Sequence, residues 1–200
     1  AKDDAQRKAT YGRLAGIVHA WTGDRQSTVA WKRGAEGEVK VANALASVPG
    51  VMVLYDRSVP GRGEANIDLI AIGPGGVFVI DAKNHGGTVR VEDKGSFFRS
   101  DKRLTVDHRD HSNLADGMAW QVEAVRSALS AAGVDPLPSI TPVLCFASAD
   151  FPWLLPPNEY KGVRLEGLNS IKKLVVDRPT LTPAEVERLT LVFAARLPSK

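Results

Sequence analysis

The feature that most limits how this chain can fold is Gly73-Pro74-Gly75-Gly76, set between two runs that are apolar on both faces. Residues 66–72 and 77–83 read as strands, and a Gly/Pro cluster between two such runs signals a hairpin. With residues 73–76 as the loop, Ile72 faces Val77, and the same register sets Asp68 opposite Asp81 and Asn66 opposite Lys83. Directly opposed residues share a face, with Cβ atoms about 4.5–5.5 Å apart. Strand side chains alternate with period two, so Lys83 joins Asp81 on that face, along with Ile70, Ile72, Val77 and Val79. The other face carries Ile67, Leu69, Ala71, Phe78, Ile80 and Ala82. Strands apolar on both sides are central strands covered by two layers.

One end of this buried hairpin therefore holds two carboxylates and an ammonium group. Opposed like charges destabilise a strand pair, and unpaired buried charge costs more. A divalent cation offsets the repulsion, and oxygen ligands suit Mg²⁺. The competing account is a solvated sheet end in which Lys83 neutralises the acids.

A second acid stands out upstream. Residues 34–47 read as a helix stopped by Pro49-Gly50, with Val41, Ala42 and Leu45 on one stripe. Glu38 precedes them by three, four and seven positions and falls on the same stripe. Glu36 instead sits four residues before Lys40, the spacing of an exposed ion pair. The N-terminal macrodipole explains an acid near a helix start, but not its side. Gln121 repeats the pattern in a long helix expected over residues 113–132, where it lies between Met118 and Val125. A buried, hydrogen-bonded amide is the plainer account of it.

The remaining elements extend an α/β order. Strands are expected at 51–56, 88–92, 140–147 and 163–165, a hairpin at 96–107, and helices at 170–176 and after Thr182, which with Glu185 forms a variant capping box. Such a series gives a central mixed β-sheet flanked by helices. Residues 5–21 carry helically spaced apolar residues and 23–27 read as a linker, so 1–32 is expected to be an N-terminal helix and linker, either packed on the domain or making an oligomer contact, possible homo-oligomerisation included. Residues 33–200 form the main domain, with a core over about 33–147 and an elaboration over 148–200.

The chain has 200 residues, 44% hydrophobic and 24% charged, with net charge +3. That is an ordinary globular composition, mildly basic, which permits a nucleic-acid partner without demanding one. Residues 1–33 carry seven Lys/Arg against three Asp. The single cysteine, Cys145, excludes an intramolecular disulfide and a cysteine-based zinc site; it reads as a small core residue and suits a reducing, cytoplasmic compartment. No apolar run reaches the length of a membrane span, so no membrane partner is expected. No Gly-rich phosphate loop ending in Lys-Ser/Thr is present, which argues against a P-loop NTPase. His108 and His111 read as surface residues, and Trp153 with Leu154 and Leu155 as a core cap.

Taken together, Gly34-Ala-Glu-Gly-Glu38 opening a helix, Ile67-Asp68-Leu69-Ile70, the run Gly73 to Asn84, Gly86-Gly87-Thr88-Val89 and the downstream Gln121 resemble the NERD (nuclease-related) domain over residues 33–147. NERD domains are similar to PD-(D/E)XK nucleases, and the resemblance implies a restriction-endonuclease-like core. It implies a metal-dependent nuclease hydrolysing phosphodiester bonds, with DNA the expected nucleic acid and DNA processing or repair the expected setting. Asp68 corresponds to the first motif acid, Asp81 to the second, Lys83 to the motif lysine, and Glu38 to the helix acid. On this resemblance Asp68, Asp81, the Ala82 carbonyl and Glu38 hold Mg²⁺ or Mn²⁺, Lys83 acts on the attacking water, and Gln121 positions a neighbour. The second acid is Asp where many relatives carry Glu, and Ile67 stands where the motif proline would be.

Arg57 and Arg62 flank the Gly/Pro-rich loop near the expected site and, with Lys32, Arg33 and Asn84, are the expected nucleic-acid contacts. A basic stretch from Lys94 to Arg109, with Phe97 and Phe98 inside it, is diluted by Asp101 and Asp107 and reads equally well as a solvated hairpin. Two other functions fit the same residues: a catalytically silent nucleic-acid-binding or interaction module on a nuclease fold, and a metal-dependent hydrolase of small phosphorylated molecules.

Overall fold

The structure, a computed structural model, describes residues 29–96 and 99–200; of residues 29–35 it describes the backbone only. The helix and linker expected within 1–28, and Phe97 and Phe98, lie outside the described residues.

The first helix, α1 (Val29–Ala46), begins five residues earlier than the Gly34 start expected. It leads into β1 (Met52–Ser58), β2 (Asn66–Gly73) and β3 (Gly76–Asp93). Next come β4 (Lys102–Val106), β5 (Arg109–Asp110), the one-turn α2 (Asn113–Asp116) and α3 (Met118–Ala131). The chain ends with β6 (Ile140–Asp150), β7 (Glu159–Tyr160), β8 (Val163–Gly167), α4 (Leu168–Leu174) and α5 (Pro183–Arg196).

The strands form one mixed sheet in the order β1-β2-β3-β6-β8-β7, with β4 and β5 added along the distal half of β3. β1, β2 and β3 are antiparallel neighbours, while β6 runs parallel to both β3 and β8. This is the α/β class with a restriction-endonuclease-like layout: a central mixed sheet covered by helices on both faces. Two stretches expected to be separate strands, 77–83 and 88–92, are one strand of 18 residues.

The hairpin keeps the expected register. Ile72 pairs with Val77, Ala71 with Phe78, Ile70 with Val79 and Leu69 with Ile80. Gly73 also pairs with Gly76, so the turn is tighter than a four-residue loop. Gly76 has φ +130, a conformation closed to side-chain-bearing residues, and a Cβ there would lie 2.9 Å from the Ser139 carbonyl oxygen.

Each face of the sheet has its own apolar layer. Val41, Ala42 and Leu45 of α1 pack with Leu69, Ala71, Phe78, Ile80, Ala82 and Cys145. On the opposite face Ile70, Ile72, Val79 and Phe146 meet Met118, Val125 and Leu129 of α3 and Leu189 and Phe193 of α5. Each fully buried aliphatic or Phe side chain contributes about 1.5–3 kcal/mol. Ile67 departs from strict alternation: it packs with the α3/α5 layer rather than beside Leu69. The departure falls where β2 has left the β3 ladder but is still paired with β1. Cys145 is a core thiol as expected, and burial pushes its pKa up to about 12.

The capping box of α5 forms as read: the Glu185 carboxylate accepts from the Thr182 N–H at 2.7 Å and the Thr182 hydroxyl accepts from the Glu185 N–H at 3.3 Å. The core reading of Trp153 is overturned. Trp153 is 92% exposed and Leu155 88%, in a loop between β6 and β7 where three prolines leave few N–H groups to anchor the backbone. Among the described residues no helix is long and apolar enough to cross a membrane.

Candidate active site

The ladder between β2 and β3 ends at Leu69–Ile80, and the acids stand in the next position. Here the strands part. The backbone N–H of Ala82, which would continue the ladder, donates to Asp68 Oδ2 at 3.2 Å. A carboxylate thus takes the place of a main-chain acceptor, and the sheet opens where Asp68 and Asp81 meet. Burial first, then the charge and hydrogen bond of Asp81 and the charge of Glu38, push the Asp68 pKa far above the usual carboxylate range; Lys83 opposes this weakly.

Lys83 follows Asp81 by two residues and its Nζ lies 2.5 Å from Asp81 Oδ1. That oxygen is buried, and the ammonium faces it as a close ion pair. The neutralising role for Lys83 and the acid pair both exist in the molecule.

Glu38 approaches from α1. Residue 37 makes this approach feasible: a Cβ on Gly37 would lie 2.9 Å from Asn84 Cβ, so helix and strand touch at backbone distance. Glu38 is half-buried, and burial, then Asp56 and Asp81, raise its pKa while Lys83 lowers it. Glu36 is exposed, as its spacing predicted. Substituting Gly37 by Ala is expected to destabilise the domain by roughly 1–3 kcal/mol through this clash. Urea denaturation of the variant measures it, and an unchanged midpoint would mean α1 can back away from β3.

Asp56 is a member of this group that sequence reasoning missed. It is a non-glycine residue at φ +44, its carboxylate accepts from Asn66 Nδ2 at 2.6 Å, and it acts electrostatically on Glu38. An Asp in the left-handed region is the usual exception among side-chain-bearing residues. In sequence it is one of several polar residues on an edge strand, with nothing to mark it.

Asn84 is fixed, not loose. Its Oδ1 accepts a 2.5 Å bond from the Ser148 hydroxyl, which in turn accepts from Lys40 Nζ at 3.0 Å. Gln121 is buried in α3 as expected, but its Nε2 meets only the Met118 sulfur at 3.9 Å and its Oε1 has no partner. Among the described residues no hydrogen bond joins Gln121 to Asp68, Asp81 or Lys83.

Arg57 corrects an expectation. It is 5% exposed, and its guanidinium donates to the carbonyls of Tyr55 at 2.7 Å and Leu197 at 3.3 Å. It ties β1 to the chain after α5 and is closed to a phosphate. Burial also lowers its pKa. Arg57→Ala is expected to cost about 1.5–3 kcal/mol of stability, the scale of charged hydrogen bonds. Urea denaturation of the variant checks this, and an unchanged midpoint would mean that the two carbonyl contacts do not hold the fold. Arg62 is exposed, its guanidinium 5.1 Å from the Trp120 ring centroid. Lys32 and Arg33 are in α1, but their side chains lie outside the description.

The strand past Lys83 brings in a contact that sequence did not foresee. His85 and His111 rings lie 4.6 Å apart at 47°. His111 is half-buried, where it had been read as a surface residue.

Among the described residues no three His, Cys, Asp or Glu side chains converge closely enough to cage a cation unaided. Mg²⁺ does not require that, since it keeps several waters and binds through one or two carboxylates. The buried Asp81 Oδ1, faced by the Lys83 ammonium, and the Asp68 carboxylate beside it fit such an ion. A mixed sheet between helices, opened at one hairpin to seat two acids and a lysine, defines a nuclease-like α/β domain. The family model described as nuclease-related domain (NERD) matches residues 33–147, and the chain belongs to that family. Comparison with curated proteins and with solved structures gives no match.

Proposed function

We propose that this chain is a metal-dependent nuclease hydrolysing phosphodiester bonds of nucleic acid, with DNA the proposed substrate. The observation that carries the reading is the carboxylate pair Asp68–Asp81 at the opened ladder, with Lys83 two residues on and ion-paired to the buried Asp81 Oδ1. Asp68, Asp81 and the Ala82 carbonyl would hold Mg²⁺ or Mn²⁺, with Glu38 ligating a second ion or holding a water. A bound ion of this kind polarises the phosphate and lowers the pKa of its water. Lys83, released from Asp81, orients that water and stabilises charge on the phosphoryl oxygens. Gln121, with an unused amide oxygen, has the capacity to accept from Lys83 or a water. A reducing compartment, the cytoplasm, is proposed from the lone unpaired Cys145.

The test is cleavage of supercoiled plasmid and of single-stranded oligonucleotide with Mg²⁺ or Mn²⁺, against an EDTA control. Metal-dependent products are expected. A second reading has one observation in its favour: the Lys83–Asp81 contact already offsets one charge without a metal. A nucleic-acid-binding module without turnover would bind DNA yet show neither cleavage nor Mn²⁺ binding by calorimetry, and that pair of results would replace the nuclease reading.

A further inference from the structure

We infer that His85, backed by His111, forms a phosphate-binding subsite beside the acid pair, taking a phosphate of the same strand next to the one under attack. The inference rests on the proposed nuclease reading and deepens it: the substrate is a polynucleotide with consecutive phosphates, not a small phosphoester.

Three observations place the pair there. His85 lies on β3 two residues past Lys83, and both Lys83 and Asp81 act on it electrostatically. The β3–β6 register shifts between Lys83 and Gly86, a bulge of the kind that re-aims a side chain next to a site. Gly86, beside His85, is exposed, and nothing lies within 4 Å of the position its Cβ would take, so this stretch of strand is open to a chain passing over it.

His111 supplies the backing. Its N–H donates to the Leu104 carbonyl at 2.8 Å and its carbonyl accepts from Leu114 N at 3.0 Å, which fixes its backbone against the domain. Its ring then limits the orientations of His85. Burial, His111 and Lys83 hold the His85 pKa below its usual value, with only Asp81 opposing them. Lys83 two residues back supplies positive charge on the same strand and Gly86 leaves room beside the ring, so an anion is the ligand class this pair suits. Neutral imidazole still donates one N–H to a phosphate oxygen.

The experiment has two arms. In the first, kcat/KM with Mn²⁺ is measured for a short thymidine oligonucleotide and for bis(p-nitrophenyl) phosphate, which has a single phosphodiester. His85→Ala is expected to reduce the preference for the oligonucleotide about tenfold, the scale of one hydrogen bond to a charged group. His85→Gln, which retains a donor, restores most of it, and His111→Ala gives a smaller loss. An equal loss on both substrates, or an unaltered ratio, overturns the inference. In the second arm, imidazole resonances of histidine-labelled protein are followed without divalent metal during addition of the trinucleotide d(pTpTpT) or of thymidine. His85 and His111 signals are expected to move with the trinucleotide only; no movement overturns the subsite. Movement without cleavage of either substrate sinks the nuclease reading and leaves the subsite standing.

Discussion

Asp81→Asn is expected to remove metal-dependent cleavage, by about 10³-fold or more, since it deletes one of two carboxylates and the charge that a cation would meet. Each tenfold loss is about 1.4 kcal/mol of transition-state stabilisation, so the expected deficit is of the order of 4 kcal/mol. Asn preserves the shape of Asp and its capacity to face Asp68, so the fold should survive. Lys83→Ala should lose activity comparably while leaving Mn²⁺ affinity equal or higher, because the ammonium that competes at Asp81 Oδ1 is gone. Calorimetry and plasmid cleavage on the same preparations separate these effects. If Lys83→Ala weakened metal binding instead, the lysine would be organising the acids rather than competing with a cation. Full activity in Asp81→Asn would place the chemistry elsewhere.

The second large effect concerns stability and has the opposite sign to most site mutations. The Asp68 pKa stands at about 8 in the fold, against 3.8 for the free side chain. Between these values the native state binds more protons than the unfolded state, so stability falls as pH rises through that window and levels off above it. Asp68→Asn removes this term. The metal-free variant should be more stable than the parent above about pH 4, by a margin that widens with pH through the window and reaches several kcal/mol at pH 8, read as a rise in Tm. At pH 4 the two should converge. The parent, in contrast, should gain about 2.7 kcal/mol from Mn²⁺ at a hundred times its Kd, and the variant much less. Thermal melts at both pH values, with and without Mn²⁺, give all four numbers. A variant less stable than its parent at pH 8 would mean that the hydrogen bond from Ala82 outweighs the buried repulsion.

The hairpin was legible because several local signals agree there. Alternation, length and turn residues all select one register, and the structure retains it from Ile72–Val77 to Leu69–Ile80. Glu38 was legible because a helix face is a matter of spacing, and Val41, Ala42 and Leu45 are all buried as the stripe demands. What escaped was settled by long-range contacts. Arg57 looked like a phosphate contact because nothing near it in sequence reveals that the Leu197 carbonyl, 140 residues away, takes its guanidinium. His85 and His111 meet only because β4 and β5 fold back on β3. The ladder opening at Asp68 depends on a side chain replacing a carbonyl, which period-two reasoning does not represent; Ile67, next to it, breaks the alternation. Trp153 was misread because an apolar triplet resembles core wherever it stands, and only the fold shows that β6 has already ended.

The unbroken course of β3 has a mechanical consequence. The strand leaves the central sheet and continues as the partner of β4 without an intervening loop. A loop at that junction would act as a hinge, and the outer hairpin would swing independently of the acids. A continuous strand behaves instead as a ruler: Asp81 and Lys83 lie at a spacing set by backbone rise, and the register shift after Lys83 is the one irregularity before the strand runs on to β4. A macromolecule gripped by the outer hairpin would be held at a fixed distance from the opened ladder, and where it is engaged along its length would follow from residue count.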